Sequence, residues 1–119
     1  MAGVSRSLWL TFLLISITAG PLHSQGKPGD SSPGSSQRAI LNRYCVPCHN
    51  EKLKTANLML DSMNVSQVGD HAESWEKVVK KLRAGMMPPS GAARPDDATL
   101  DALAGALESR MDAVAAQHV

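Results

Sequence analysis

The chain has 119 residues, enough for one small domain, with 12 Lys and Arg against 11 Asp and Glu and a formal charge of +1. That balance excludes a generally basic surface of the kind that binds nucleic acid through bulk charge. Four aromatics (Trp9, Phe12, Tyr44 and Trp75) and two cysteines (Cys45 and Cys48) leave little for an extensive aromatic core or a disulfide framework.

Residues 1–24 read as a secretory signal peptide. Arg6 supplies a short positive region, Leu8 to Ala19 form an apolar run, and small or polar residues follow through Ser24, after which cleavage is expected. The apolar run is far shorter than the roughly 20 residues of a spanning helix, so no permanent membrane span is expected, an uncleaved anchor being the alternative. Cleavage removes Arg6 alone among charged side chains, leaving 11 basic and 11 acidic residues. Residues 25–36 (QGKPGDSSPGSS) read as a disordered Gly/Pro/Ser linker, and residues 37–117 as the folded domain. With only Tyr44 and Trp75 as aromatics, that domain has a thin core and needs a staple, which a large buried cofactor would supply.

A first helix is expected from about Ser36 through Ala39, Ile40 and Tyr44, running into Cys45-Val46-Pro47-Cys48-His49. This C-x-x-C-H run is the attachment motif of a c-type haem. The cysteines lie one helical turn apart, so both can reach the vinyl edge of a porphyrin. His49 follows Cys45 by four and returns to the same face as an axial iron ligand. Competing readings are a redox dithiol, which normally accompanies a βαβ pattern absent here, and half a zinc site, which lacks a second Cys/His pair. Pro47 should interrupt regular helix inside the motif.

Residues 50–69 read as a wrapping loop with Leu58, Leu60 and Val65 as buried points and Met59 and Met63 beside them. A second helix follows, with Asp70 as N-cap, Glu73 completing a capping box, Glu73/Lys77 and Glu76/Lys80 at i,i+4, and an apolar face of Trp75, Val78, Val79 and Leu82. Trp75 is expected to pack on the haem ring or on the last helix. Gly85 sits where a left-handed residue would end the helix. After Met86-Met87-Pro88-Pro89 a third helix is expected from Pro95–Asp97, buried along Leu100, Leu103, Leu107, Met111 and Val114. No period-2 run supports a strand. The fold class is all-α: about three helices and long loops around one covalent haem.

A second axial ligand is sought among the methionines, since a thioether there closes the iron site and raises its potential. Met59 and Met63 lie near the motif; Met86 and Met87 precede two prolines that stiffen the segment. Met111 reads as core. Among the other histidines, His23 lies in the signal, His118 at the chain end, and His71 in a first helical turn, exposed. Lys52, Lys54, Lys77, Lys80, Lys81 and Arg83 concentrate basic charge, read as a solvated helix face with the lysines opposite the apolar stripe, or as a docking rim for an acidic partner.

Residues 41–89, LNRYCVPCHN…KTANLMLD…HAESWEKVVKKLRAGMMPP, resemble the planctomycete-type cytochrome c domain, within the wider class I cytochrome c group. The resemblance covers roughly residues 37–115. It implies covalent haem c on Cys45 and Cys48, His49 as the proximal iron ligand, and the Met of an M-P pair after a helix as the distal one. That pair is Met87-Pro88, with Met86 as the alternative. It further implies a periplasmic or otherwise extracytoplasmic electron carrier for a redox partner protein or domain, standing alone or at the front of a larger exported protein, and not an enzyme. The alternative function is a haem enzyme or sensor with an open or labile sixth site.

Overall fold

The computed structural model describes residues 32–119; the expected signal peptide and most of the expected linker lie outside the described residues. Three helices follow in order: α1 (Pro33–Tyr44), α2 (Ala72–Arg83) and α3 (Asp97–Ala116), with short 3-10 turns at Thr55–Asn57 and Val68–His71. Among the described residues there is no strand, so the all-α expectation holds, and no helix is long and apolar enough to cross a membrane.

α1 begins at Pro33, earlier than the expected Ser36, so the end of the expected linker is helical. Proline in a first turn forfeits no intrahelical bond, and Ser35 donates from both its amide and its hydroxyl to the Ser32 carbonyl, at 2.9 and 2.8 Å. At the other end the amides of Cys45 and Val46 both bond Leu41 O, and those of Cys48 and His49 both bond Cys45 O. The C-x-x-C-H run is thus a further turn wound on the end of α1.

The segment between α1 and α2 has little regular structure but deep anchors. Leu60, Met63, Val65 and Val68 are all nearly inaccessible, with Leu58 half-buried against them. Arg38 of α1 reaches across and donates from Nη1 to the carbonyls of Leu60 (3.0 Å) and Met63 (2.9 Å). The Leu60 amide returns a bond to His49 O at 3.0 Å.

α2 does not start as the sequence suggests. Val68, anchored in the core, winds the chain into a 3-10 turn whose Asp70 amide bonds Gln67 O. Asp70 is therefore inside that turn, and His71 holds the N-cap position without a side-chain cap, so the capping box is not formed. The Glu73–Lys77 ion pair closes at 2.7 Å. Trp75, Val78, Val79 and Leu82 are buried as expected. The helix ends in a Schellman motif: Gly85 adopts φ +65°, its amide bonds Leu82 O, and the Met86 amide bonds Lys81 O.

α3 is capped by the Asp96 carboxylate, which accepts from the Thr99 amide at 2.7 Å. Its buried face is Leu100, Leu103, Ala104 and Leu107, and Met111 and Val114 pack on the edge of the core. α2 and α3 are clamped at the surface by Arg83, 2.6 Å from Glu108 and 3.3 Å from Asp101. Trp75, Leu41, Leu60, Leu103, Leu107 and Val68 form the fully buried centre that all three helices and the loop share.

Candidate functional site

A cavity of about 370 Å³ lies between the end of α1, the loop and α2. This falls within the roughly 300–1,000 Å³ of ligand pockets. One wall is the motif with its neighbour: Tyr44, Cys45, Cys48 and His49. The loop adds Thr55, Ala56, Leu58 and Leu60; α2 adds Val78 and Leu82, with Lys77 and Lys81 beside them; and the segment after α2 adds Met87, Pro88, Pro89 and Ala92. The lining is almost wholly apolar.

The structure therefore brings Cys45, Cys48, His49 and Met87 to one cavity although Met87 lies 38 positions after His49. Met86 is placed elsewhere: it is 54% exposed and its Sδ accepts from Lys81 Nζ at 3.7 Å. Met63 is buried in the core and Met111 packs against it, and neither borders the cavity. His71 and His118 are exposed. Trp75 is fully buried in the core rather than bordering the cavity, and its Nε1 lacks a partner.

His49 Nδ1 lies 3.0 Å from the carbonyl of Thr55. A carbonyl only accepts, so Nδ1 carries the proton, and in the neutral ring Nε2 keeps the free lone pair. This is the arrangement that orients a metal-binding imidazole and raises its basicity. The carbonyl is presented by an unusual turn: Lys54, Ala56 and Asn57 adopt φ of 51°, 54° and 55°, left-handed without glycine. Nothing in the local sequence marks Thr55 as a partner of His49, because the acceptor is main chain.

Burial pushes the Cys45 thiol up to about 11, an effect that the nearby Arg38 charge partly offsets. A redox dithiol uses a thiol acidified toward neutrality, and Cys45 has moved the other way. Among the described residues no three His, Cys, Asp or Glu side chains converge as ligands of a bare metal ion.

Two features of the site escaped the sequence reading. Lys77 and Lys81 are exposed, as expected of a solvated helix face, but they also border the cavity beside Val78 and Leu82. Arg94, ahead of α3, donates from Nη1 to the Pro88 carbonyl and so reaches the segment that carries Met87. The helical period turns Lys77 well away from the apolar stripe and so gives no sign that it borders the cavity, and a side chain bonding a main-chain carbonyl six positions away has no signature in residue type.

The donor set and lining fit a haem. Two thiols and an imidazole whose Nδ1 faces the Thr55 carbonyl share one wall, a thioether comes from a separate segment, and the remaining lining is almost wholly apolar. No family model, curated protein or solved structure matches the chain.

Proposed function

We propose that the chain is an exported single-haem c-type cytochrome domain that carries one electron between redox partners outside the cytoplasm, either alone or as a module of a larger protein. The observation that carries this reading is the convergence of Cys45, Cys48, His49 and Met87 on one apolar cavity. The resemblance of residues 37–115 to planctomycete-type cytochrome c supports it, as does the export signal read in residues 1–24.

Cys45 and Cys48 would hold the haem as thioethers, and His49 through Nε2 and Met87 through Sδ would hold its iron. When bound, haem iron supplies reversible one-electron chemistry. The chain's own residues set its terms. Thr55 O fixes the imidazole and strengthens it as a donor. Met87 contributes a soft, weak ligand that favours the reduced state and raises the potential. The apolar walls keep water away and disfavour the extra positive charge of the oxidised state, and the Lys77 and Lys81 cations at the edge act in the same direction. With His49 and Met87 both committed to the iron, a bound haem would offer oxygen and peroxide no open site, which supports a carrier rather than an enzyme.

The test is co-expression with haem-maturation machinery, followed by haem staining on a denaturing gel and a ferric spectrum. Expected are a stained band and the far-red methionine-to-iron charge-transfer band, lost in Met87→Ala and kept in Met86→Ala. No covalent haem with both cysteines intact sinks the reading. A high-spin wild-type spectrum replaces it with the open-site enzyme or sensor.

A further inference from the structure

Met87 lies on a segment with few means of holding itself in place. Pro88 and Pro89 have no N–H to donate, so the segment is fastened through its carbonyls. Upstream, the Met86 amide is tied to Lys81 O at 3.0 Å in the helix-ending motif. Downstream, Pro89 O accepts the Ala92 amide at 3.1 Å, and the buried Pro88 accepts Nη1 of the half-buried Arg94. Among the described residues, that last bond is the one charged contact on the residue directly following Met87.

We infer that Arg94 is a positioning residue for the sixth axial ligand: its guanidinium, by gripping the Pro88 carbonyl, holds the Met87 thioether in the cavity. The inference rests on the proposed haem ligation. A thioether is a weak ligand, so its occupancy depends on how much freedom the segment must surrender to bring it home. Pro88 transmits the grip because its ring fixes φ and couples the position of its carbonyl to the residue before it. Arg94 emerges just before Pro95 and the Asp96 cap of α3, and borders a groove whose other side carries Ile40 and Tyr44 of α1. The ligand segment is thus referenced to the start of α3 as well as to α2. Without the guanidinium a buried carbonyl loses a charged donor. That loss shifts the balance between bound and detached Met87 by roughly 10- to 100-fold toward detachment.

The test is an imidazole titration of the ferric holoprotein, since added imidazole occupies the iron only when Met87 has left. Arg94→Met removes the donor at similar length and should tighten apparent imidazole binding by roughly 10- to 100-fold. It should also weaken the far-red band. Arg94→Gln keeps an amide donor and should fall between wild type and Arg94→Met, and it carries the comparison if Arg94→Met fails to load haem. In a Met87→Ala background, already lacking the competitor, Arg94→Met should change nothing. Wild-type imidazole affinity in both Arg94 variants overturns the inference. An equal tightening with and without Met87 also overturns it, because the effect then bypasses the ligand. If Met87→Ala itself leaves spectrum and affinity unchanged, the ligation by Met87 falls, and the inference falls with it for that separate reason.

Discussion

Gly85 and Ala56 have nearly the same backbone conformation, φ +65° and +54°, but opposite side chains for it. A Cβ built on Gly85 meets nothing within 4 Å, so Gly85→Ala tests backbone conformation free of packing. The left-handed conformation costs an L-residue about 1–2 kcal/mol, and the stiffer unfolded chain returns about 0.4–1 kcal/mol. A net loss of about 1 kcal/mol follows, which in a domain of this size lowers Tm by about 4–8 °C. Ala56→Gly should run the other way by a similar amount, the relief of the left-handed strain being offset by the looser unfolded chain. The assay is thermal unfolding followed by far-UV circular dichroism, with all variants in the same haem-loaded state. Gly85→Ala also perturbs the motif that launches Met86 and Met87, so on the proposed ligation by Met87 its far-red band should weaken along with its Tm. A Gly85→Ala protein as stable as wild type would falsify the left-handed helix end, and with it the reasoning that this end sets where the ligand segment begins.

Three other outcomes are expected. Trp75→Ala empties the largest fully buried side chain and should cost about 3–5 kcal/mol in denaturant unfolding, whereas Trp75→Phe, which removes the unpartnered indole N–H, should cost much less; equal losses refute the packing account. The Thr99 N–H holds the Asp96 carboxyl below its ordinary value of 3.8, so its contribution is complete above that pH and fades as pH falls through the lower folded-state value. Asp96→Ala should therefore lower Tm by a constant amount at neutral pH, with the gap closing only in strong acid; a gap that widens on acidification contradicts the cap. In protein made without haem, alkylation at mildly alkaline pH should reach exposed Cys48 well before Cys45, whose thiol is pushed up to about 11, and mass spectrometry of timed samples showing the reverse order would place Cys45 in a different environment.

The helices were legible because their signals are periodic. Trp75, Val78, Val79 and Leu82 on α2, and Leu100, Leu103 and Leu107 on α3, repeat at the helical spacing and are buried accordingly. The Gly85 stop follows from a residue type with few alternative uses. Asp70 misled because a good capping residue caps only if the chain stops there, and the core anchor at Val68 keeps it turning. In the site, C-x-x-C-H and Met-Pro are local patterns and could be read directly. The Thr55 carbonyl on His49 and the Arg94 grip on Pro88 are side-chain to main-chain bonds, and any residue supplies a carbonyl, so no residue type announced them.

Arg38 has a consequence for how the domain comes apart. By holding the carbonyls of Leu60 and Met63, it makes a stretch with almost no regular structure share the fate of α1. Opening that stretch strands a buried guanidinium as well as exposing Leu60, so breathing of the loop alone is costly. α1 and the loop should therefore open together rather than separately, with their amides exchanging with solvent at a common rate, so that one wall of the cavity draws its order from a helix beside it.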